Sequence, residues 1–325
     1  MKKLNHEKDV CIIIESNGTG ENQANACMIS HYNLIAHLTV SSLPFTGFGW
    51  NDNDIVLNTS PFWHIMGLTQ LLVALTVGAK FIIPTNLNAK NIAISIKKYK
   101  VTSIILTPTI ITDFIKDQQT DCDFNSLKKV ICTGATLNKK LANQFIELFD
   151  IEDMRQAYGL TEMTGFVTME PVHSDRIEAC GYPVPLSQVK IVDKNSGNDL
   201  GFGKVGKILL KSPQLFLGYY NDLNQTFNAI DEDQWFITDD IGFLDKNGRL
   251  HIIDKNCDFI DYKGVNVSPT AIESILLSHE AVMEAAVVGI PYKESEQLPG
   301  AFVVINDDDQ DITSEQLLHF ANGKR

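Results

Sequence analysis

No two of the six cysteines (Cys11, Cys27, Cys122, Cys132, Cys180 and Cys257) stand at a CxxC or comparable spacing. That argues against a zinc site and a disulfide framework, and fits a reducing compartment. Long apolar runs are also scarce. The longest, 67–84, is interrupted by Gln70, Thr76 and Lys80, and the amino terminus MKKLNHEKDV is polar; neither a membrane span nor a signal peptide is expected. Basic charge is short as well, with 27 Lys and Arg against 40 Asp and Glu, a formal charge of −13, and no basic stripe. Phosphate-backbone attraction is then weak, and nucleic acid is not expected as a partner. One local absence stands out. In CIIIESNGTGENQANACMISHYN (residues 11–33), an apolar strand runs into Ser16, Gly18, Thr19 and Gly20, whose backbone and hydroxyl donors could cradle an anion, yet no Lys or Arg follows.

What is present is globular composition. At 325 residues with 44% apolar and 21% charged side chains, the chain is long enough for about two domains. From residue 54 to about 160, short β-branched runs alternate with helical periodicity: DIVLNTSP, FIIP, VTSIILTP and LKKVICTG are interleaved with helices, including one carrying Leu141, Phe145 and Leu148. This alternation predicts an α/β fold with a mostly parallel sheet and helices on its faces. After Pro183 the texture changes to strands around Gly and Asn turns, with Lys246-Asn247-Gly248 as a hairpin signal, so residues 184–254 are expected to form a small antiparallel β subdomain. Past residue 255, Ser268-Pro269 reads as a helix start, EAAVVGIP and AFVVIN read as strands, and Thr313 with Gln316 reads as a capping box. The expected division is a large domain over 1–254 and a small α+β domain over 255–325.

QAYGLTEMTG (156–165) places chemistry in a few residues. Tyr158 can stack on a base, Gly159 lets the backbone approach a ligand, Thr161 can donate to a phosphoryl oxygen, and Glu162 can hold Mg²⁺. Taken alone, the segment is equally an ordinary turn with a core tyrosine. Likewise His64, in the apolar run PFWHIMG, read alone is a satisfied core residue.

Taken in order, the loop at 16–20, PFWHIMGL, TGATL, YGLTE, TDD and YKGVNVSP resemble the adenylate-forming superfamily of acyl-CoA synthetases, 4-coumarate CoA ligases and firefly luciferases. The resemblance implies a partial large adenylate-forming domain followed by an incomplete small α+β C-terminal domain. It implies ATP-dependent conversion of a carboxylic acid to an acyl-adenylate, then a thioester with coenzyme A, with ATP or AMP, Mg²⁺ and coenzyme A as cofactors. By the same resemblance Ser16, Gly18, Thr19 and Gly20 form the phosphate loop, Gly134, Ala135 and Thr136 line the adenine and acyl pocket, Tyr158 lies against the adenine, and Gly159 is among the cofactor-binding residues. Thr161 and Glu162 meet phosphate and metal in the chemical step, Asp240 takes the ribose hydroxyls, and Lys255 stands where the family usually has arginine. His64 lies beside the acyl pocket, and Gly264 lies near the path of the pantetheine arm. With Phe62, Trp63 and Met66 beside His64, the implied small-molecule acid is apolar, fatty or aryl. The implied setting is cytoplasmic or peroxisomal.

Several positions depart from the family pattern. The phosphate-loop lysine is absent, which removes an electrostatic contact of about 3 kcal/mol in the transition state. Asp239 replaces a glycine and is expected to set a second carboxylate against Asp240. Lys255 exchanges a bidentate fork for a point charge. The family's first subdomain and its late adenylation lysine are not found by motif. Two readings therefore remain: an adenylating enzyme, or a catalytically impaired adenine-nucleotide-binding pseudoenzyme or truncated fragment.

Overall fold

A computed structural model describes residues 3–16, 25–116, 124–174, 176–255, 260–262, 265–279, 281–292, 297–305 and 312–323. Strands β1 (Val10–Glu15) and β2 (Ala26–Ser30) pair antiparallel, and helix α1 (His31–Ser41) follows directly. Its start is a reciprocal cap: the Asn33 amide donates to Ser30 Oγ at 3.1 Å, and the Ser30 amide donates to Asn33 Oδ1 at 2.9 Å.

Next comes the alternating region, β3 (Ile55–Leu57), α2 (Ile65–Val77), β4 (Lys80–Ile82), α3 (Ala89–Tyr99), β5 (Ser103–Leu106), α4 (Pro108–Lys116), β6 (Lys129–Cys132), α5 (Lys139–Phe149) and β7 (Asp153–Leu160). Strands β4, β3, β5, β6 and β7 lie in that order and are all parallel. The buried Ser103-Ile-Ile-Leu and Val130-Ile-Cys runs have apolar neighbours on both faces, as a parallel sheet covered by helices requires. Strands β8 (Gly165–Met169) and β9 (Tyr182–Pro183) extend the same sheet antiparallel.

Strands β10 (Gln188–Val192) and β11 (Gly206–Lys211) open a second, antiparallel sheet. The short β12 (Gly218–Tyr219) returns to pair with β2, helix α6 (Leu223–Ala229) follows, and β13 (Phe236–Leu244) with β14 (Leu250–Lys255) completes the order β10-β11-β13-β14. Gly248, at φ +85°, makes the turn that the Lys-Asn-Gly signal indicated. Beyond it lie β15 (Ile260–Tyr262), β16 (Val265–Val267), α7 (Pro269–Leu277), the hairpin β17 (Val282–Pro291) and β18 (Gln297–Ile305), and α8 (Ser314–Gly323). Ser268 caps α7, and the Thr313 and Gln316 contacts form at the start of α8.

The edge of the parallel sheet is held by a buried guanidinium. Arg155, fully inaccessible, pairs with Asp153 at 3.0 Å and donates to the carbonyls of Gly47 and Phe48 at 2.9 and 2.8 Å. It fastens the 47–48 chain to β7 across more than a hundred residues.

Candidate active site

Because β3, β5, β6 and β7 are parallel, the segments leaving their carboxyl ends share one edge of the sheet. These segments carry His64, Gly134-Ala135-Thr136 and the 158–162 run. In open α/β sheets that edge is where ligands bind. Gly134, at φ +89°, turns the chain, and all three residues of its loop are exposed. The loop is tied back to β7 by the Leu137 amide, which donates to Gln156 Oε1 at 3.0 Å. His64 caps α2, its Nδ1 accepting from the Met66 amide at 3.2 Å; burial lowers its pKa. Beside it Trp63 is 72% exposed, edge-on to the imidazole.

Tyr158 and Asp240, 82 residues apart, meet directly: the phenol donates to Asp240 Oδ2 at 2.5 Å. Asp240 is buried on β13, where its amide donates to Thr238 Oγ1 at 3.1 Å and the Thr238 hydroxyl donates to the Ile208 carbonyl at 2.8 Å. Burial first, then the Asp240 charge, raises the Tyr158 pKa well above its ordinary value. The phenol is therefore a donor at any working pH. Lys255 stands opposite Asp240 in the β13–β14 ladder.

Glu162 lies one short 3₁₀ turn (Thr161–Met163) beyond β7 and is buried, as is Thr161. Its carboxylate accepts from Tyr219 Oη at 3.0 Å and from the side chains of Ser16 and Cys27. Its carbonyl accepts from the Phe216 amide at 2.9 Å. Burial raises the Glu162 pKa against the opposing pull of its own amide and these three donors. Ser16 is the last described residue before the 17–24 segment, and its amide donates to the Asn25 carbonyl at 2.8 Å. The base of the glycine loop and Glu162 are thus in contact. Gly18, Thr19, Gly20 and Gly264 lie outside the described residues.

Two expectations need correction. Gly159 is a strand residue without positive φ. A Cβ there would lie 2.1 Å from the Gly165 carbonyl oxygen, so its role is close strand–strand approach at the β7–β8 bulge, not ligand approach. Asp239 does not press on Asp240. Successive strand residues alternate faces, and Asp239 is exposed while Thr238 and Asp240 are buried. Its charge instead raises the pKa of Tyr219, which places the added carboxylate at the Glu162 end. Tyr219, Cys27 and Phe216 carried no motif signal. Only the apolar spacing of LFLGYY hinted at a buried tyrosine.

These contacts also test whether Mg²⁺ suits the site. A carboxylate offers about four lone-pair directions. At Glu162 the residue's own amide and the side chains of Tyr219, Ser16 and Cys27 all serve as neutral donors, and among the described residues no group of three or more His, Cys, Asp or Glu could enclose a metal. An ion that takes one protein carboxylate and draws its other ligands from phosphates and water would therefore take the place of one of these neutral donors.

A parallel sheet whose carboxyl edge carries the Tyr158–Asp240 pair and the Ser16–Glu162 contact defines an α/β protein of the adenylate-forming type. The chain belongs to the AMP-binding enzyme family: the family's profile matches residues 3–220, and that of the AMP-binding enzyme C-terminal domain matches residues 271–324. Its sequence is 30% identical over 321 residues to a luciferin 4-monooxygenase of Luciola mingrelica, covering 98% of this chain and 58% of that protein. It is 32% identical over 325 residues to a probable 4-coumarate–CoA ligase 2 of Dictyostelium discoideum, covering 99% and 58%. Its fold superposes on ATP-bound MatB from Rhodopseudomonas palustris with a TM-score of 0.90 at 25% identity, covering 99% of this chain and 63% of that one. The chain thus spans about three-fifths of the length of these proteins. No helix among the described residues is long and apolar enough to cross a membrane.

Proposed function

We propose that this chain acts in the ATP-dependent activation of a carboxylic acid. The adenine lies along the Gly134–Thr136 loop and Tyr158, the ribose hydroxyls face Asp240, and the phosphates run toward Ser16, the 17–20 loop and Thr161. The observation that supports this reading is that β7 and the turn after it carry both contacts: Tyr158 meets Asp240, and Glu162 meets Ser16.

In this reading Glu162 holds Mg²⁺, which when bound offsets charge on the phosphates. The substrate carboxylate oxygen attacks the α-phosphorus and pyrophosphate leaves, giving the acyl-adenylate. The chain's own contribution is alignment of two anions and exclusion of water. Transfer to coenzyme A follows, along a path past Gly264. The half-exposed Phe62 and exposed Trp63 next to His64 favour an apolar fatty or aryl acid. The division into 1–254 and 255–325, and a cytoplasmic or peroxisomal setting, belong to the same proposal.

The competing reading, a nucleotide-binding protein without catalysis, draws on two facts. Asp239 adds negative charge near Tyr219, the partner of Glu162, and no Lys or Arg occurs in residues 16–30. ATP–pyrophosphate exchange with a panel of fatty and aryl acids decides between them. Acid-stimulated exchange supports the ligase reading. AMP binding by calorimetry with no exchange for any acid overturns it in favour of the binding protein.

A further inference from the structure

The Tyr158–Asp240 contact carries an inference beyond a stacking role for the ring. Asp240 is only 7% exposed, and a buried carboxylate with a free torsion presents its oxygens in no fixed direction. One contact limits that freedom directly, and two more hold the groups around it. The Tyr158 phenol donates to Oδ2 at 2.5 Å, the Asp240 amide donates to Thr238 Oγ1, and the Thr238 side chain also bonds the phenol. Thr238 is itself fixed by its bond to the Ile208 carbonyl. Acid, phenol and hydroxyl are linked in a chain, and a ring anchored in β7 holds one oxygen of the carboxylate.

We propose that Tyr158, through its hydroxyl, is the positioning residue that aims Asp240 and so sets the chain's preference for ribose over deoxyribose. The inference rests on the reading above that Asp240 faces the ribose. Two donors on adjacent ribose carbons can be received together only by a carboxylate of defined rotation. Remove the phenolic oxygen and the acid keeps its charge but loses the contact that holds Oδ2. Adenine contact with the ring faces should be unchanged, because phenylalanine presents the same faces.

The test is calorimetric titration of AMP and 2′,3′-dideoxy-AMP into the wild-type chain, Tyr158→Phe, Asp240→Asn and the double variant. Wild type is expected to prefer AMP over the dideoxy analogue. Tyr158→Phe should lose about tenfold of that ratio, the usual worth of one hydrogen bond to a charged group, while binding the dideoxy analogue within about twofold of wild type. In the Asp240→Asn background the Tyr158→Phe change should add no further loss. Equal weakening of both nucleotides in Tyr158→Phe, or no change in the ratio, overturns the positioning role while leaving Asp240 at the ribose. A wild-type chain that does not distinguish the two nucleotides, or binds neither, overturns the ribose assignment and this inference with it. Should Tyr158→Phe fail to fold, Thr238→Val removes the same set from the other side and is held to the same ratio.

Discussion

Acidification should destabilise this protein through one imidazole. His37 is fully buried in α1, with Nδ1 2.7 Å from Gln214 Oε1 and Nε2 3.3 Å from Ser41 Oγ. A neutral ring satisfies both contacts, Nδ1–H donating to Gln214 and Nε2 accepting from Ser41. Burial drives its pKa down from 6.5 to about 4, with the Gln214 contact opposing. The space is tight as well, since a Cβ on Gly165 (φ +138°) would lie 2.4 Å from His37 Cε1. The sign follows from which state binds the proton. Between pH 6.5 and 4 the unfolded chain takes up a proton that the folded chain refuses, so this contribution is complete above pH 6.5 and is lost as pH falls toward 4. At about 1.4 kcal/mol per pKa unit the full loss is about 3 kcal/mol, of which about 2 kcal/mol appears between pH 7.5 and 5. Urea denaturation of wild type and His37→Gln at closely spaced pH values isolates the effect, because other titrating groups cancel in the difference. The variant should lack that part of the slope. Parallel profiles for the two proteins would refute the reasoning. The consequence reaches the site: the Gln214 main-chain carbonyl accepts from the hydroxyl of Thr164, two residues beyond Glu162, at 2.7 Å.

Tyr219→Phe removes the 3.0 Å donor from buried Glu162 and should cost about 1.5–3 kcal/mol in chemical denaturation; a cost below about 0.5 kcal/mol would mean the acid is satisfied without it. Arg155→Met strands Asp153 in the interior beside β7 and should cost about 3–5 kcal/mol. Adding Asp153→Asn should return part of that loss, which a double-mutant cycle measures. Gln70→Met acts in the other direction. Both amide atoms of Gln70 are buried on the core stripe of α2 without a hydrogen-bond partner among the described residues, so an apolar replacement of similar size should raise stability by about 1–3 kcal/mol. A lowered melting temperature would contradict this.

The parts of the fold readable in the sequence are those whose cause is local. Ser268-Pro269, Thr313 with Gln316, and Lys246-Asn247-Gly248 specify caps and a turn within three or four residues, and each forms. The alternation from 54 to 160 gives the parallel sheet because strand and helix periods differ. What stayed hidden is held by distant partners. Glu162 meets Tyr219 across 57 residues, Arg155 meets Gly47 across 108, and His37 meets Gln214 across 177. None of these pairs has a spacing that a pattern can register. Asp239 was misplaced for a different reason: adjacency in sequence suggests contact, whereas strand alternation turns neighbouring carboxylates to opposite faces. Gly159 repeats the point, since a glycine at a site edge can serve a neighbouring strand as readily as a ligand.

The central claim is that an adenine nucleotide sits with its ribose at Asp240. AMP titrated by calorimetry into wild type and Asp240→Asn tests it most directly, the carboxamide keeping the shape while removing the charge that receives both hydroxyls. The account predicts measurable binding to wild type and affinity at least about tenfold weaker in the variant. Equal affinity in the two proteins would contradict it.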